Sequence, residues 1–285
     1  MYTLIKVAFF LLFAQLCQLS FASEMSILPD ADNVILLSGE IKKGDAEKLA
    51  KNILLLNHNR LDLFLFLDSP GGNIEESLNI ASTVKAFHLN TLVKGSGICA
   101  SSCFYIFLAG DSHVAIGTEN GNMPPAKMGY IGLHRPYLKL DSSKLHDSIG
   151  AEAHQHDLMQ IIGAYLRYQD IPQRLIDLMM SRPSNDLYWM TMEDITELGN
   201  YSPGIEELLI SRCGYSRNST SDKVIECSRT AFPDFIQERL SNRKRILEGW
   251  RPWVQVSQTG AAVKHIQNFS DCSECLYGES NSPRR

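Results

Sequence analysis

The chain has no excess of positive charge: 27 Lys and Arg stand against 32 Asp and Glu, a net charge of −5. No basic stripe interleaved with aromatics appears, so charge gives no nucleic-acid surface and no such partner is expected. The one basic cluster, Arg239, Arg243, Lys244 and Arg245, reads as the solvated face of a helix. Beyond the first 22 residues no apolar run is long enough to cross a bilayer. Zinc-type spacing is also missing. Cys272 and Cys275 form Cys-Ser-Glu-Cys without a second Cys/His pair, which favours a structural bridge. His146, His154 and His156 lie near Asp147, Glu152 and Asp157, but their spacing is no ligand set for one helical face. No metal and no cofactor is expected.

What is present is an ordinary globular profile, 285 residues with 44% apolar and 21% charged. That is ample for a core and for one or two domains. At the N-terminus, Lys6 is the only charge in 22 residues and Val7–Leu19 is almost wholly apolar. Ser20-Phe21-Ala22 then offers small residues at −3 and −1 to a cleavage before Ser23. Residues 1–22 read as a secretory signal peptide, with an uncleaved anchor as the alternative. Cys17 is no lipoprotein site, because Leu16 precedes it where a small residue is needed. Secreted or periplasmic localisation follows. Removing the leader leaves six cysteines, an even number that suggests disulfides. Cys213 and Cys227 bracket a polar loop and form a candidate pair.

Periodicity gives alternating strands and helices. Asn33–Ser38 reads as a buried strand, 45–57 as an amphipathic helix, and Leu61–Leu67 as a strand apolar nearly throughout, as in a parallel sheet covered on both faces. A helix is predicted over 74–87, a short strand over 91–94, and an apolar helix from Ser101 or Ser102 to about Ala109. Short strands follow at 113–116 and 130–133, separated by a Gly/Asn/Pro-rich loop over 117–129. Helices are expected over 143–168 and 171–181, and from Trp189 to Leu198, with Thr191 at the start and Gly199 at the stop. This is an α/β pattern with right-handed crossovers. After about Pro203 the character changes. Residues 204–285 read as a cysteine-containing, disulfide-stapled extension that includes a basic helix near 232–250.

Three elements carry chemistry. Ser69-Pro70-Gly71-Gly72 ends an apolar strand in a turn whose glycines expose backbone N–H groups ahead of a helix start, which suits an oxyanion. Gly97-Ile98-Cys99-Ala100-Ser101-Ser102-Cys103 puts small residues at a tight bend and a hydroxyl at the mouth of a buried helix. His134 closes a strand. The bland readings are an ordinary turn, an N-cap serine and a hydrogen-bonded strand-end histidine; convergence of the three is what points to attack on a carbonyl.

Those motifs, with Leu61–Leu67 before them and Leu133-His134-Arg135-Pro136 after, resemble the Clp protease proteolytic subunit and, more broadly, the ClpP/crotonase superfamily. The likeness covers roughly residues 33–200. It implies repeated β-β-α spiral units with a mostly parallel sheet over 23–203, a peptide or protein substrate, and a homo-oligomer. It implies Ser101 as nucleophile and His134 as general base, with an oxyanion hole from the N–H groups of Gly71 or Gly72 and of Ser102. The acid that orients the histidine lies just ahead of a helix like Trp189–Gly199. Asp186 is the nearest carboxylate, beside Asn185, and an Asn or a main-chain carbonyl are the alternatives.

The loop before His134 and the cysteine-bearing C-terminal part depart from the Clp subunit, and export argues against an ATPase ring partner. Cys99 and Cys103 flank the serine. Four residues apart at a helix start, they fall within the roughly 4.4–6.8 Å Cα range of a disulfide, which would pin the turn. The rivals are a thiol nucleophile there, and a serine–lysine dyad using Lys94 or Lys127. The expectation is an exported serine peptidase. The competing class is a catalytically inactive envelope protein that keeps the fold for binding or assembly, and a coenzyme A thioester enzyme stands third.

Overall fold

A computed structural model describes residues 23–58, 60, 62–115, 130–137, 148–216, 226–227, 240–241 and 243. Residues 1–22, 116–129 and 138–147, with Cys272 and Cys275, lie outside the described residues.

The chain is a mixed α/β protein with mostly parallel sheets. Strand β1 (Glu24–Ile27) pairs antiparallel with β2 (Val34–Ser38), and β2 pairs parallel with β3 (Phe64–Asp68). Then β4 (Asn90–Val93) and β6 (His113–Ala115) extend the sheet in parallel, giving the order β1-β2-β3-β4-β6. A second sheet holds β5 (Ile98–Ala100), parallel to β7 (Tyr130–Leu133), which pairs antiparallel with β8 (Tyr188–Trp189). Ser69 joins the two sheets by bridging to Cys99 as it leaves β3.

Helices α1 (Asp45–Leu55), α2 (Ile74–Ala86) and α3 (Cys103–Leu108) connect these strands. Leu49 and Ile53 of α1, Ile80 and Val84 of α2, and Phe104 and Phe107 of α3 share one core with Ile35, Leu37, Leu65, Leu67 and Val93. Burial therefore alternates along β3: Leu65 and Leu67 are buried, Phe64 and Phe66 only half-buried. The expectation of two equally covered faces does not hold among the described residues. The helices take one face, and the period of two sends alternate side chains to the other.

Helix α3 has only six residues, all buried, so its last carbonyls need partners other than water. They find them in side chains. Thr91 Oγ1 donates to Phe107 O (2.6 Å), Tyr165 Oη to Tyr105 O (2.6 Å) and Gln169 Nε2 to Leu108 O (2.9 Å). The last two come from α4 (Ser148–Tyr168) and the residue just past it, which lock the short helix in place.

Helices α5 (Gln173–Ser181), α6 (Met192–Leu198) and α7 (Pro203–Cys213) complete the described chain. Trp189 belongs to β8 rather than to a helix. Helix α6 starts only after Thr191, whose side chain accepts from Asp194 N–H while the Asp194 carboxylate accepts in return. Leu209 and Tyr215 form a small separate cluster with Tyr201, Ile205 and Leu208. Cys213 and Cys227 are bridged, with Cα atoms 5.9 Å apart. Arg243 corrects the reading of a solvated basic face: its side chain is 1% exposed, and Nη1 donates to Arg60 O (3.1 Å).

Candidate active site

The glycine turn is built by its neighbours. Ser69 N–H donates to Ile98 O (2.7 Å) and Ala100 N–H to Ser69 O (3.0 Å), so β3 hands the chain directly to the strand before the serine turn. Gly71 has φ +96° and Gly72 φ +152°, values that side-chain-bearing residues avoid. Space forbids a side chain as well. A Cβ on Gly71 would lie 2.6 Å from Ala100 O, 2.8 Å from Ser101 Cβ and 3.0 Å from Ser102 N; one on Gly72 would lie 2.2 Å from Ile41 O. Ile41 N–H donates to Gly71 O and Asn73 N–H to Ile41 O, both 2.9 Å, and this parallel bridge leaves the amide between them unpaired. Among the described residues, Gly72 N–H donates to no protein acceptor. Gly71 N–H donates to Ser69 Oγ (3.1 Å), so of the two glycines Gly72 is the available donor. Helix α2 begins immediately after, capped by Asn73, and adds partial positive charge.

Ser101 stands at φ +56°, in the left-handed region that few non-glycine residues occupy. Its N–H donates to Gly132 O (2.8 Å) and its carbonyl accepts from Phe104 N–H (3.0 Å). Ser101 is half-buried, whereas Ser102 is 1% exposed with its hydroxyl enclosed. The reachable hydroxyl is Ser101. Ser102 N–H, like Gly72 N–H, has no acceptor among the described residues, and it lies against Gly71. A half-buried serine followed by an amide that, like that of Gly72, has no acceptor among the described residues is an arrangement that can receive a developing oxyanion.

The flanking cysteines are joined: Cys99 and Cys103 form a disulfide with Cα atoms 5.2 Å apart, both fully buried. No thiol is left there to act as nucleophile. Lys94 is exposed to solvent. Lys127 lies outside the described residues.

Parallel pairing of β5 with β7, Ala100 opposite Gly132, brings Ser101 and His134 to the same end of adjacent strands. The histidine is 8% exposed. Its Nδ1 is 2.8 Å from Arg135 O. A carbonyl only accepts, so Nδ1 carries the proton in that contact and Nε2 is left as the basic nitrogen. The segment is held by Arg135 N–H to Arg182 O (3.1 Å) and by Gln155 Nε2 to Pro136 O (3.4 Å), with the Tyr137 ring 5.8 Å from the imidazole. No hydrogen bond joins Ser101 to His134 among the described residues.

Among the described residues no hydrogen bond joins Asp186 to the imidazole. Its side chain is 52% exposed, and its carboxylate accepts from Arg182 Nη1 (3.2 Å). The buried carboxylate of this region is Asp194, which accepts from Arg174, Tyr188 Oη and Thr191. Burial acts to raise its pKa, but these hydrogen bonds outweigh it and hold the carboxyl at about 2. It is spent on the cap of α6. The group hydrogen-bonded to the His134 ring among the described residues is the main-chain carbonyl of Arg135, which no side-chain pattern marks.

A family model described as Clp protease matches residues 23–123, a span that holds Gly71, Gly72, Ser101 and Ser102 and stops before His134. Over those residues the chain is ClpP-like. It is 27% identical over 128 residues to the ATP-dependent Clp protease proteolytic subunit 2 of Treponema pallidum, covering 41% of this chain and 64% of that protein. It is 24% identical over 173 residues to the proteolytic subunit 1 of Frankia casuarinae, covering 59% and 75% respectively. A solved ClpP1 mutant from Listeria monocytogenes aligns with TM-score 0.42 and 20% identity over 59% of this chain and 87% of that one. The ClpP-like chain spans 64% and 51% of the lengths of the Treponema pallidum protein and of a Leifsonia xyli proteolytic subunit 1, that is, between half and two thirds.

Proposed function

We propose that this ClpP-like protein is an exported serine hydrolase that cleaves peptide bonds at Ser101. Ser101 Oγ attacks the carbonyl carbon while His134 Nε2 takes the hydroxyl proton. The carbonyl oxygen, now negative, accepts from Gly72 N–H and Ser102 N–H. His134 returns the proton to the leaving amine as the C–N bond breaks, and water, deprotonated by the same nitrogen, releases the acyl group. Catalytic hydrogen bonds commonly tighten only around bound substrate, and His134 must close on Ser101 in that step.

The observation that carries this reading is a half-buried serine held at positive φ, with the Gly72 and Ser102 amides lacking an acceptor among the described residues. Similarity to Clp proteases over residues 23–123 supports the reaction class. The two disulfides and the apolar leader support an oxidising compartment outside the cytoplasm, where hydrolysis proceeds without an ATPase partner. Residues 1–22 are the proposed signal peptide, and the working form is a homo-oligomer.

Labelling with a fluorophosphonate tests the proposal. Oxidised protein should be labelled, Ser101→Ala should not, and His134→Ala should slow labelling by about 10²–10⁴-fold, the range for a general base. Absence of Ser101-dependent labelling in oxidised protein would overturn the hydrolase and favour a binding role. Full reactivity in His134→Ala would overturn the base assignment.

A further inference from the structure

The bridge around the nucleophile has a place in the mechanism that the reaction alone does not require. Cys99 sits in β5 and Cys103 opens α3, with three residues between them and Ser101 at the centre. Both ends are anchored. Cys99 lies between Ser69 and Ile131 in the sheet, and Cys103 begins a helix whose six residues are all buried. Ser101 itself is held by one hydrogen bond on each side, to Gly132 O and from Phe104 N–H. A serine at φ +56° persists only where its surroundings over-determine it. Ser102 is already right-handed (φ −63°, ψ −18°), and without the covalent link Ser101 is free to follow it into the start of α3. That move would redirect the Ser101 hydroxyl and the peptide that carries Ser102 N–H.

We propose that the Cys99–Cys103 disulfide is a positioning element that makes hydrolase activity conditional on oxidation. This rests on Ser101 being the nucleophile. The newly made chain carries two thiols and a loose turn, and is latent. A disulfide donor (a dithiol oxidoreductase in its oxidised form, or a small-molecule disulfide) accepts two electrons. One thiolate attacks the donor's disulfide to form a mixed disulfide. The second displaces the remaining donor sulfur as the Cys99–Cys103 bond forms, and the donor leaves with the two protons as a dithiol (oxidoreductase) or as two thiols (small-molecule disulfide). Both cysteines are fully buried in the product, so a reductant reaches the bridge only through local opening. The device therefore acts as a one-way licence at export, keeping the hydrolase inactive before its bridge can form.

The experiment compares fluorophosphonate labelling rates and amide hydrogen exchange in oxidised wild type, thiol-reduced wild type, Cys99→Ala/Cys103→Ala, and Cys213→Ala/Cys227→Ala. Reduction and the first double variant should each slow Ser101 labelling at least tenfold and speed exchange across residues 97–106. The second double variant should keep the oxidised rate and lose it on reduction. Labelling of reduced protein or of Cys99→Ala/Cys103→Ala at the oxidised rate would overturn the proposal while leaving the hydrolase standing. Oxidised wild type without Ser101-dependent labelling would instead sink the hydrolase. In that case exchange decides the positioning claim, and equal exchange over 97–106 in oxidised and reduced protein overturns it. If Cys99→Ala/Cys103→Ala does not fold, the reduced wild type, with its folded state checked by circular dichroism, carries the comparison.

Discussion

Gly71 and Gly44 form a matched pair that isolates what the glycine turn contributes. Their φ angles are nearly equal, +96° and +97°, yet nothing lies within 4 Å of a Cβ on Gly44, whereas on Gly71 it would press on the Ala100 carbonyl and on Ser101. Gly44→Ala should therefore cost only the conformational term, about 1–2 kcal/mol for a left-handed non-glycine residue. Gly71→Ala carries that term and a backbone displacement, an overpacking cost of about 1–3 kcal/mol, for a total near 2–5 kcal/mol. The contact atoms belong to the nucleophile turn, so the displacement falls on Ser101. A shift of about 1 Å at a reacting group is worth about 10²-fold in rate. Urea unfolding of both variants reads the stability difference, and fluorophosphonate labelling reads the turn. Equal destabilisation of the two, or Gly71→Ala labelled at the wild-type rate, would refute the claim that close packing of the two turns aligns the site.

Two further outcomes follow from groups away from the reaction. His113 is buried beside Phe107, and burial, assisted by Lys85, lowers its pKa to about 4 against the partial offset of the Gly110 and Gly199 backbone and Glu206. Its neutral form stabilises the fold above the unfolded pKa near 6.5, and that contribution of about 3 kcal/mol is lost as pH falls through about 4. Urea midpoints should drop over that window, and His113→Phe should flatten the drop; an unchanged slope would remove His113 as its source. Asp194 has its pKa depressed to about 2, so its contribution of about 2 kcal/mol is present above the unfolded carboxylate value near 4 and lost as pH falls toward 2. Asp194→Asn should lower stability at pH 7 by that order and lessen acid sensitivity below pH 4, read by thermal melts at both pH values.

Much of the architecture was legible because hydrophobic period and turn chemistry agree locally. The strands at 34–38, 64–68 and 130–133 and the helices at 45–55 and 74–86 each carry an apolar pattern bounded by Gly, Pro or Asn. Strand β5 escaped because Ile98–Ala100 is three residues of a small-residue segment whose pairing with β7 and Ser69 is wholly non-local. Strand β8 escaped because Trp189 adjoins a strong helix start, and two residues carry no periodicity. Helix α7 had its signals, Pro203 in the first turn and Gly214 at the stop, but only a weak apolar stripe. Arg243 was misread because charge predicts solvent, and only tertiary contact shows a guanidinium turned to the Arg60 carbonyl. At the site, the glycine and serine turns were readable since both depend on residue size. The choice between Gly71 and Gly72 was not, because it depends on which amide Ser69 Oγ claims.

The orienting group for His134 is where residue type and geometry part most sharply. A carboxylate near α6 was the expectation from resemblance, but Asp186 and Asp194 are each paired elsewhere. Asp186 sits in solvent against Arg182, and Asp194 closes the capping box of α6 while holding Tyr188 and Arg174. The Arg135 carbonyl does what orientation demands, since it fixes the tautomer and leaves Nε2 basic. It cannot do what a full negative charge does, which is to stabilise the imidazolium formed when the proton arrives. Two consequences separate this arrangement from a carboxylate triad. Asp186→Ala should leave fluorophosphonate labelling within about twofold of wild type, the small effect expected of an exposed ion pair. Loss of a true third member would instead cost about 10⁴-fold. A loss of that size in Asp186→Ala would show that the carboxylate swings to His134 when substrate is bound, and the carbonyl would then be only a resting partner.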